Sequence, residues 1–343
     1  MAEIYGWVGK ILFVDLTSGT IEIRSTTDYV PKWIGGRALA AKLYWDEVPP
    51  DCGGLDPENR LIFASGPAGG TLGAGSSRTA IVSKSAFTIP NAYMQSTPGG
   101  DWAAELKYAG FDAVVVRGKA PEPVYIWIHD GEVEIKKAAR LWGMTTGETE
   151  SEIRRLWGDQ TRTMLIGPAG ENLCLSSVIM TDVAHATGGV SLGSVMGSKN
   201  LKAIAVRGTG GVRVKRPQDL IDFYDTHVKI GGMYGGPYST SNDAYEAGLG
   251  HGTGTGLWKQ TESIEERFSK TSYWRQGYLA WEEIQAGTIR MKNAGCLACP
   301  VCCTKCYLPV DPTGKEEFNA NLSAGFAAGQ CGEQGAAGIW DKA

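Results

Sequence analysis

Short apolar runs broken by glycine fill the chain up to about residue 207, and their spacing is that of strands more than of helices. Residues 12–16 and 20–23 flank a Thr17-Ser18-Gly19 turn, and residues 124–128 and 132–135 flank His129-Asp130-Gly131, so both pairs predict hairpins. Further strands are predicted at residues 60–64, 79–83, 113–117, 164–166 and 203–206, with helical spacing between them at 34–47, 102–109 and 146–157. Hairpins outnumber strand–helix–strand units. The pattern therefore predicts an α+β fold whose N-terminal domain is a mostly antiparallel β-sheet with helices, not a doubly wound parallel sheet.

Beyond Gly208-Thr209-Gly210-Gly211 the composition shifts, and residues 218–229 and 280–292 carry helix-type spacing between long polar, glycine-rich connections. The expected organisation is a domain over residues 1–210 followed by the start of a more helical domain over 211–343. The final stretch ends at Trp340-Asp341-Lys342-Ala343 without capping or turn chemistry, which predicts that the helical domain is incomplete.

With 343 residues, 43% of them hydrophobic, the chain has enough apolar side chains for a substantial core, and its length suits two domains. Its 33 basic and 37 acidic residues leave a net charge of −4, which gives no global attraction for nucleic acid or an anionic membrane. No apolar run approaches the roughly 20 residues of a bilayer span. The opening Met1-Ala2-Glu3-Ile4-Tyr5 lacks the basic and apolar regions of a signal peptide, so a cytoplasmic protein is expected. The 47 glycines are roughly twice the average usage and follow no collagen-like period, a sign of backbone that approaches something closely.

Cysteine usage is uneven. Cys52, Cys174 and Cys331 stand alone, whereas Cys296, Cys299, Cys302, Cys303 and Cys306 fall within eleven residues. Cys296, Cys299 and Cys303 form C-x2-C-x3-C, and Cys302 offers C-x2-C-x2-C as an alternative register. A short loop of this kind turns several soft thiolates toward one centre, as an iron–sulfur cluster requires, with a fourth ligand supplied from elsewhere. Zinc is the competing reading, Cys303 and Cys306 then providing a second pair. A disulfide framework is disfavoured in a cytoplasmic chain.

Four blocks carry a resemblance: the glycine-rich run from Gly66-Pro67-Ala68-Gly69-Gly70 to Ser76-Ser77-Arg78, then Ala104-Glu105-Leu106-Lys107-Tyr108-Ala109-Gly110-Phe111-Asp112-Ala113, Ile166-Gly167-Pro168-Ala169-Gly170-Glu171-Asn172, and Val195-Met196-Gly197-Ser198-Lys199-Asn200-Leu201-Lys202-Ala203. In order and spacing they resemble the tungsten-dependent aldehyde:ferredoxin oxidoreductase family, and the cysteine loop falls where that family places its cluster ligands. The resemblance implies an N-terminal sheet platform under a bis-pterin (tungstopterin) cofactor carrying tungsten or molybdenum, with a [4Fe-4S] cluster beside it and magnesium among the phosphate contacts.

Residue by residue, the resemblance implies that Arg78 lies between cluster and pterin, and that a guanidinium fork there holds an anionic group. Ser96 and Gly99 fall in a second pterin-contacting stretch, one residue longer than the family's and with serine where asparagine is common. Ala186, Thr187, Gly188 and Gly189 form a third, which offers backbone N–H groups but lacks the family's usual arginines. Cys296, Cys299 and Cys303 carry over as cluster ligands. Asn319 stands where the family often has a catalytic glutamate, and an amide cannot shuttle a proton near neutral pH. His251, in a glycine-rich loop, is the candidate proton carrier instead.

The function so implied is oxidation of an aldehyde to a carboxylate, with ferredoxin or another iron–sulfur carrier taking the electrons and a homodimer or an electron-transfer subunit as partner. A low-potential reductase subunit of the benzoyl-CoA reductase type is the alternative within the family. A non-catalytic electron-transfer or zinc-binding scaffold is the alternative outside it.

Overall fold

The computed structural model describes residues 4–30, 32–73, 75–182, 185–188, 191–228, 289–294, 296–299 and 304–309. Two compact units are present, one made of Met1–Ile221 with Cys296–Ala298 and the other of Asp222–Gly295 with Cys299–Ala343.

The first half of the first unit runs β1 (Lys10–Asp15), β2 (Thr20–Ser25), α1 (Gly36–Glu47), β3 (Leu61–Ala64), β4 (Ala80–Lys84), β5 (Tyr93–Ser96), α2 (Trp102–Tyr108) and β6 (Ala113–Arg117). Its strands form a sheet in the order β2-β1-β6-β3-β4-β5, antiparallel except where β1 meets β6. The second half runs β7 (Val124–His129), β8 (Glu132–Lys137), α3 (Thr146–Trp157), β9 (Arg162–Leu165), the single-turn α4 (Pro168–Glu171), β10 (Met180–Thr181), β11 (His185–Ala186), α5 (Leu192–Ser198) and β12 (Leu201–Arg207). This sheet has the order β8-β7-β12-β9-β10-β11, with β7 and β12 its one parallel pair.

One topology is thus used twice. Ala64 pairs with Ala113 in the first sheet, and Leu165 pairs with Ala203 in the second. Just beyond these pairs, Ser65 N–H donates to Asp112 O at 2.9 Å and Ile166 N–H donates to Lys202 O at 3.1 Å. The same four residues, Gly-Pro-Ala-Gly, follow β3 at 66–69 and β9 at 167–170.

Period-two alternation decides which face of each sheet meets which layer. Val114 and Val116 of β6, and Ile204 and Val206 of β12, point into one central core shared by the two sheets, together with Trp102 and Leu106 of α2 and Val195 and Met196 of α5. Ala113 and Val115 turn outward beneath Leu39 and Leu43 of α1. Ala203 and Ala205 turn outward toward Ile153 of α3. The indole N–H of buried Trp102 donates to Ile204 O at 3.1 Å, so a helix of the first half is fastened to the sheet of the second. At the start of α3 a capping box holds the first turn, Thr145 Oγ1 accepting from Glu148 N–H while the Glu148 carboxylate accepts from Thr145 N–H at 2.8 Å.

The α+β class and the mostly antiparallel sheets agree with the sequence pattern, as do both hairpins. Within the two six-stranded sheets three strands were not anticipated, β5, β10 and β11, because runs of two to four residues carry too little alternation to stand out.

Helix α6 (Pro217–Phe223), which begins in the last residues of the first unit and ends in the second, overlaps the stretch expected to be helical at 218–229, and a π-type turn (Tyr224–Val228) follows it. The helix expected at 280–292 is corrected at its end. Residues Ile289–Ala294 form strand β13, antiparallel to β14 (Thr304–Pro309). Ile289, Arg290, Met291 and Lys292 alternate apolar and charged, which is a strand period. Residues 280–288 lie outside the described residues. No helix among the described residues is long and apolar enough to cross a membrane.

Candidate functional site

The site is built at corresponding corners of the two halves. In the first, β5 ends at Ser96 and the chain turns through Thr97-Pro98-Gly99-Gly100 into α2, with Pro98 O accepting from Thr79 N–H at 3.2 Å. In the second, β11 ends at Ala186 and the chain turns through Thr187-Gly188 toward α5, with Thr187 N–H donating to Ile179 O at 2.9 Å. The corners touch, for Gly188 N–H donates to Ser96 Oγ at 2.9 Å.

Three kinds of chemistry gather around this contact. The first is cationic. Arg78, two residues ahead of β4, donates from Nη1 to Thr97 O at 2.7 Å, and Arg37, in the first turn of α1, brings Nη2 to 3.4 Å from Thr97 Oγ1. Both arginines are exposed, so their remaining donors face solvent at the corner.

The second is bare backbone. A methyl group on Gly99 would sit 2.7 Å from His185 Cδ2 and 2.9 Å from Cys296 Sγ, distances that only the absence of a side chain permits. Thr187 is buried, its hydroxyl oxygen accepting from Ile179 N–H at 3.0 Å, and the N–H groups of Thr187 and Gly188 are already donated to Ile179 O and Ser96 Oγ, so the backbone N–H donors expected at these two residues are spent within the protein. Ala186 and Gly188 are exposed.

The third is sulfur. Gly100 N–H donates to Cys296 Sγ at 3.2 Å, and His185 Nε2 is 3.6 Å from the same atom. Leu297 N–H donates to Asp101 Oδ1 at 2.7 Å, while Asp101 N–H donates to Asp182 Oδ2 at 2.6 Å. Arg162 Nε lies 3.8 Å from Asp101 Oδ2 and 3.9 Å from Asp182 Oδ1. Burial pushes the Asp182 carboxyl up to about 6 against these stabilising neighbours.

The first unit therefore assembles Arg78, Ser96, Gly99, Ala186, Thr187, Gly188 and Cys296, residues drawn from four separate stretches of sequence. Cys299 is half-buried and belongs to the second unit. Gly189, His251, Cys303 and Asn319 lie outside the described residues.

The donor set suits an anionic group with a broad face. Glycine backbone permits close approach, two guanidinium groups answer negative charge, and a thiol stands alongside as a soft metal ligand. The family model described as aldehyde ferredoxin oxidoreductase, N-terminal domain, matches residues 11–208. The chain belongs to the aldehyde ferredoxin oxidoreductase family.

Members include the tungsten-containing aldehyde ferredoxin oxidoreductase of Pyrococcus abyssi, 34% identical over 339 residues that cover 95% of this chain and 53% of the relative. The protein of the same name from Pyrococcus furiosus is 36% identical over 306 residues, covering 88% of this chain and 49% of its own. Among solved structures, the active site complex BamBC of benzoyl coenzyme A reductase, in complex with 1,5-dienoyl-CoA, contains a chain matching at a TM-score of 0.70 and 28% identity. That match covers 96% of this chain and 54% of the other. The chain spans about half the length of the curated relatives it matches.

Five residues of the site were not anticipated as participants: Arg37, Asp101, Arg162, Asp182 and His185. Asp101 directly follows the Gly99-Gly100 pair, and His185 opens a stretch already singled out, so position in the sequence offered a hint for these two. Arg37, Arg162 and Asp182 come from other elements, and only the folded sheets bring them in.

Proposed function

We propose that this chain is the cofactor platform of an oxidoreductase that carries a bis-pterin tungsten (or molybdenum) centre and a [4Fe-4S] cluster, oxidises an aldehyde to a carboxylate, and passes the electrons to ferredoxin or another iron–sulfur carrier. The observation that carries the reading is the meeting of two topologically equivalent glycine corners, joined from Gly188 N–H to Ser96 Oγ, beside Arg78 and Cys296. Two similar corners suit a cofactor with two similar halves. The names of the relatives supply the metal and the aldehyde.

Aldehyde and water give a carboxylate, three protons and two electrons. When bound, the metal centre takes up the electron pair and the cluster releases it one electron at a time. This chain's own residues bind, orient and exclude. Arg78 holds its guanidinium at the first corner through Thr97 O, leaving its other donors for a pterin phosphate or a cluster sulfur. Gly188 keeps a side chain out of the space the cofactor would fill, and Gly99 leaves room for the sulfur of Cys296 and the ring of His185. Ser96 fixes the second corner against the first; because the Thr187 and Gly188 N–H groups already donate to Ile179 O and Ser96 Oγ, the backbone that Ala186, Thr187, Gly188 and Gly189 would offer is chiefly carbonyl oxygen, toward a magnesium ion. Cys296, with Cys299 and Cys303, would hold the cluster. His251 is the proposed proton carrier, with Asn319 orienting substrate.

The test is elemental analysis of anaerobically purified protein in its full-length context, followed by reduction of ferredoxin or a viologen dye with a panel of aldehydes. Tungsten or molybdenum together with about four irons per chain and aldehyde-dependent reduction is the expected result. Zinc alone, with no reduction, would overturn the reading in favour of a scaffold.

The BamBC neighbour favours a second reading, a subunit of a low-potential reductase acting on an aryl-CoA thioester. A relative of Pyrococcus furiosus named aliphatic sulfonate oxidoreductase, WOR-like subunit, is 38% identical over 224 residues and likewise favours a chain that works with a partner subunit. Activity with benzoyl-CoA and a strong reductant, and none with aldehydes, would decide for it.

A further inference from the structure

We propose that Asp101 is a positioning residue for the cysteine loop: its carboxylate holds the backbone of Leu297 while the adjoining Gly100 N–H holds the sulfur of Cys296, so that the thiolate is presented at a fixed point beside the glycine corners before any metal binds. The proposal rests on the reading of Cys296 as a cluster ligand.

The geometry is a two-point grip across 196 positions of sequence. Leu297 N–H donates to Asp101 Oδ1 at 2.7 Å, and Gly100 N–H donates to Cys296 Sγ at 3.2 Å, so consecutive residues of one segment hold consecutive residues of the other. Asp101 is itself held. Its N–H donates to Asp182 Oδ2 at 2.6 Å, and Arg162 lies 3.8 Å from its second carboxylate oxygen. One oxygen is thereby tied toward Arg162 and the other is left for the loop.

A conventional explanation for an aspartate here is helix capping, since Asp101 occupies the position before α2. Its side chain makes no capping hydrogen bond. The carboxylate is turned to the cysteine loop instead, which is what separates positioning from helix stability.

Gly99 completes the grip. An added methyl group would sit 2.9 Å from Cys296 Sγ, so the sulfur can occupy its place only while residue 99 has no side chain. Hydrogen bonds to cluster sulfurs draw charge from them and raise the reduction potential, so loss of the grip lowers it.

The experiment uses the whole chain, as Asp101→Ala, Asp101→Asn and Gly99→Ala. In the metal-free, reduced protein, iodoacetamide labelling of the Cys296 peptide is followed by mass spectrometry, with the exposed Cys174 as internal reference. Asp101→Ala should label roughly tenfold faster, the factor expected from losing one hydrogen bond to a charged acceptor. Asp101→Asn, whose amide oxygen still accepts from Leu297 N–H, should stay within about twofold of the parent.

After anaerobic reconstitution with iron and sulfide, Asp101→Ala should change the electron paramagnetic resonance g values, Asp101→Asn should restore them, and between these two equally uncharged variants Asp101→Ala should have the lower midpoint potential. Equal labelling of parent and Asp101→Ala overturns the proposal. Should Asp101→Ala fail to fold, Gly99→Ala decides, faster labelling supporting the grip and unchanged labelling overturning it. The tenfold labelling ratio together with a full-length protein that takes up no iron keeps the grip and overturns the cluster reading.

Discussion

Asp112 and Lys202 stand at the same place in the two halves, each just ahead of the Ala113 and Ala203 positions that pair with β3 and β9, and both are fully buried. Around Asp112 gather the N–H groups of Val8 at 3.0 Å and Gly9 at 2.8 Å, the Thr26 hydroxyl at 2.7 Å and the Lys107 ammonium at 3.8 Å. Around Lys202 are the Glu171 carboxylate and Met144 O at 2.8 Å. Opposite charges thus serve one topological position. What the topology requires there is a closed set of hydrogen bonds, while the sign of the charge is left to local partners.

The contrast breaks most sharply under truncation. Asp112→Ala strands two backbone N–H groups and leaves the buried Lys107 ammonium with Gly6 O but no counter-charge, so it should cost ~3–5 kcal/mol in urea unfolding. Lys202→Met leaves Glu171 with one remaining partner, Gly143 N–H at 2.8 Å, and should cost a similar amount alone. Here the halves part company. The double change Lys202→Met with Glu171→Gln removes both charges while keeping the Gly143 bond, and should recover most of the loss, ending within ~1.5 kcal/mol of the parent. No single neighbouring change can do the same for Asp112, because two of its partners are main chain. A double variant as unstable as Lys202→Met would show that the second ion pair is as indispensable as the first.

A second difference lies in the two glycine corners. Gly99 has Cys296 and His185 against it, whereas among the described residues a methyl group on Gly188 would find only Ser96 Oγ, at 4.0 Å. Gly99→Ala should therefore destabilise the first unit by ~1–3 kcal/mol, the range of an overpacked core, while Gly188→Ala should stay within ~0.5 kcal/mol. If cofactor approaches the second corner as proposed, Gly188→Ala should instead lower tungsten content in the full-length protein. Equal thermal shifts for both variants would mean that the corners are equally open.

The hairpins and strands β6 and β12 were legible because short apolar runs such as residues 113–117 and 203–206 are bounded by turn-forming or polar residues. The β10–β11 pair was not, since a two-residue strand has no period. The duplication was legible in principle, in the Gly-Pro-Ala-Gly repeated after β3 and β9, but hydrophobic patterning does not register it when the intervening loops differ. Within the site, Arg78, Ser96, Gly99, Gly188 and Cys296 could be named from blocks of sequence. The grip on Cys296 could not, because Asp101, Asp182 and Leu297 meet across 81 and 196 positions and no local pattern encodes such a contact.

The smallest expected effect concerns how the halves are joined. Lys199, at the end of α5 in the second half, is fully buried and donates from Nζ to Asn59 O at 2.6 Å, with Pro57 O at 3.3 Å and Gly118 O at 3.4 Å, all in the first half. Burial, with Arg60 adding repulsion, draws its ammonium down from an ordinary 10.5 to about 7. Between those values the unfolded chain holds a proton that the folded chain has released, so this residue makes stability rise with pH across that window and adds nothing to the slope above it. In Lys199→Met that contribution vanishes. The unfolding free energy of the parent minus that of the variant should therefore climb by ~1 kcal/mol per unit between about pH 7.5 and 9.5, other titrations cancelling in the difference. A flat difference would mean that three carbonyls solvate the ammonium as well as water does, and the clasp between the halves would then be ionic at every pH that the fold survives.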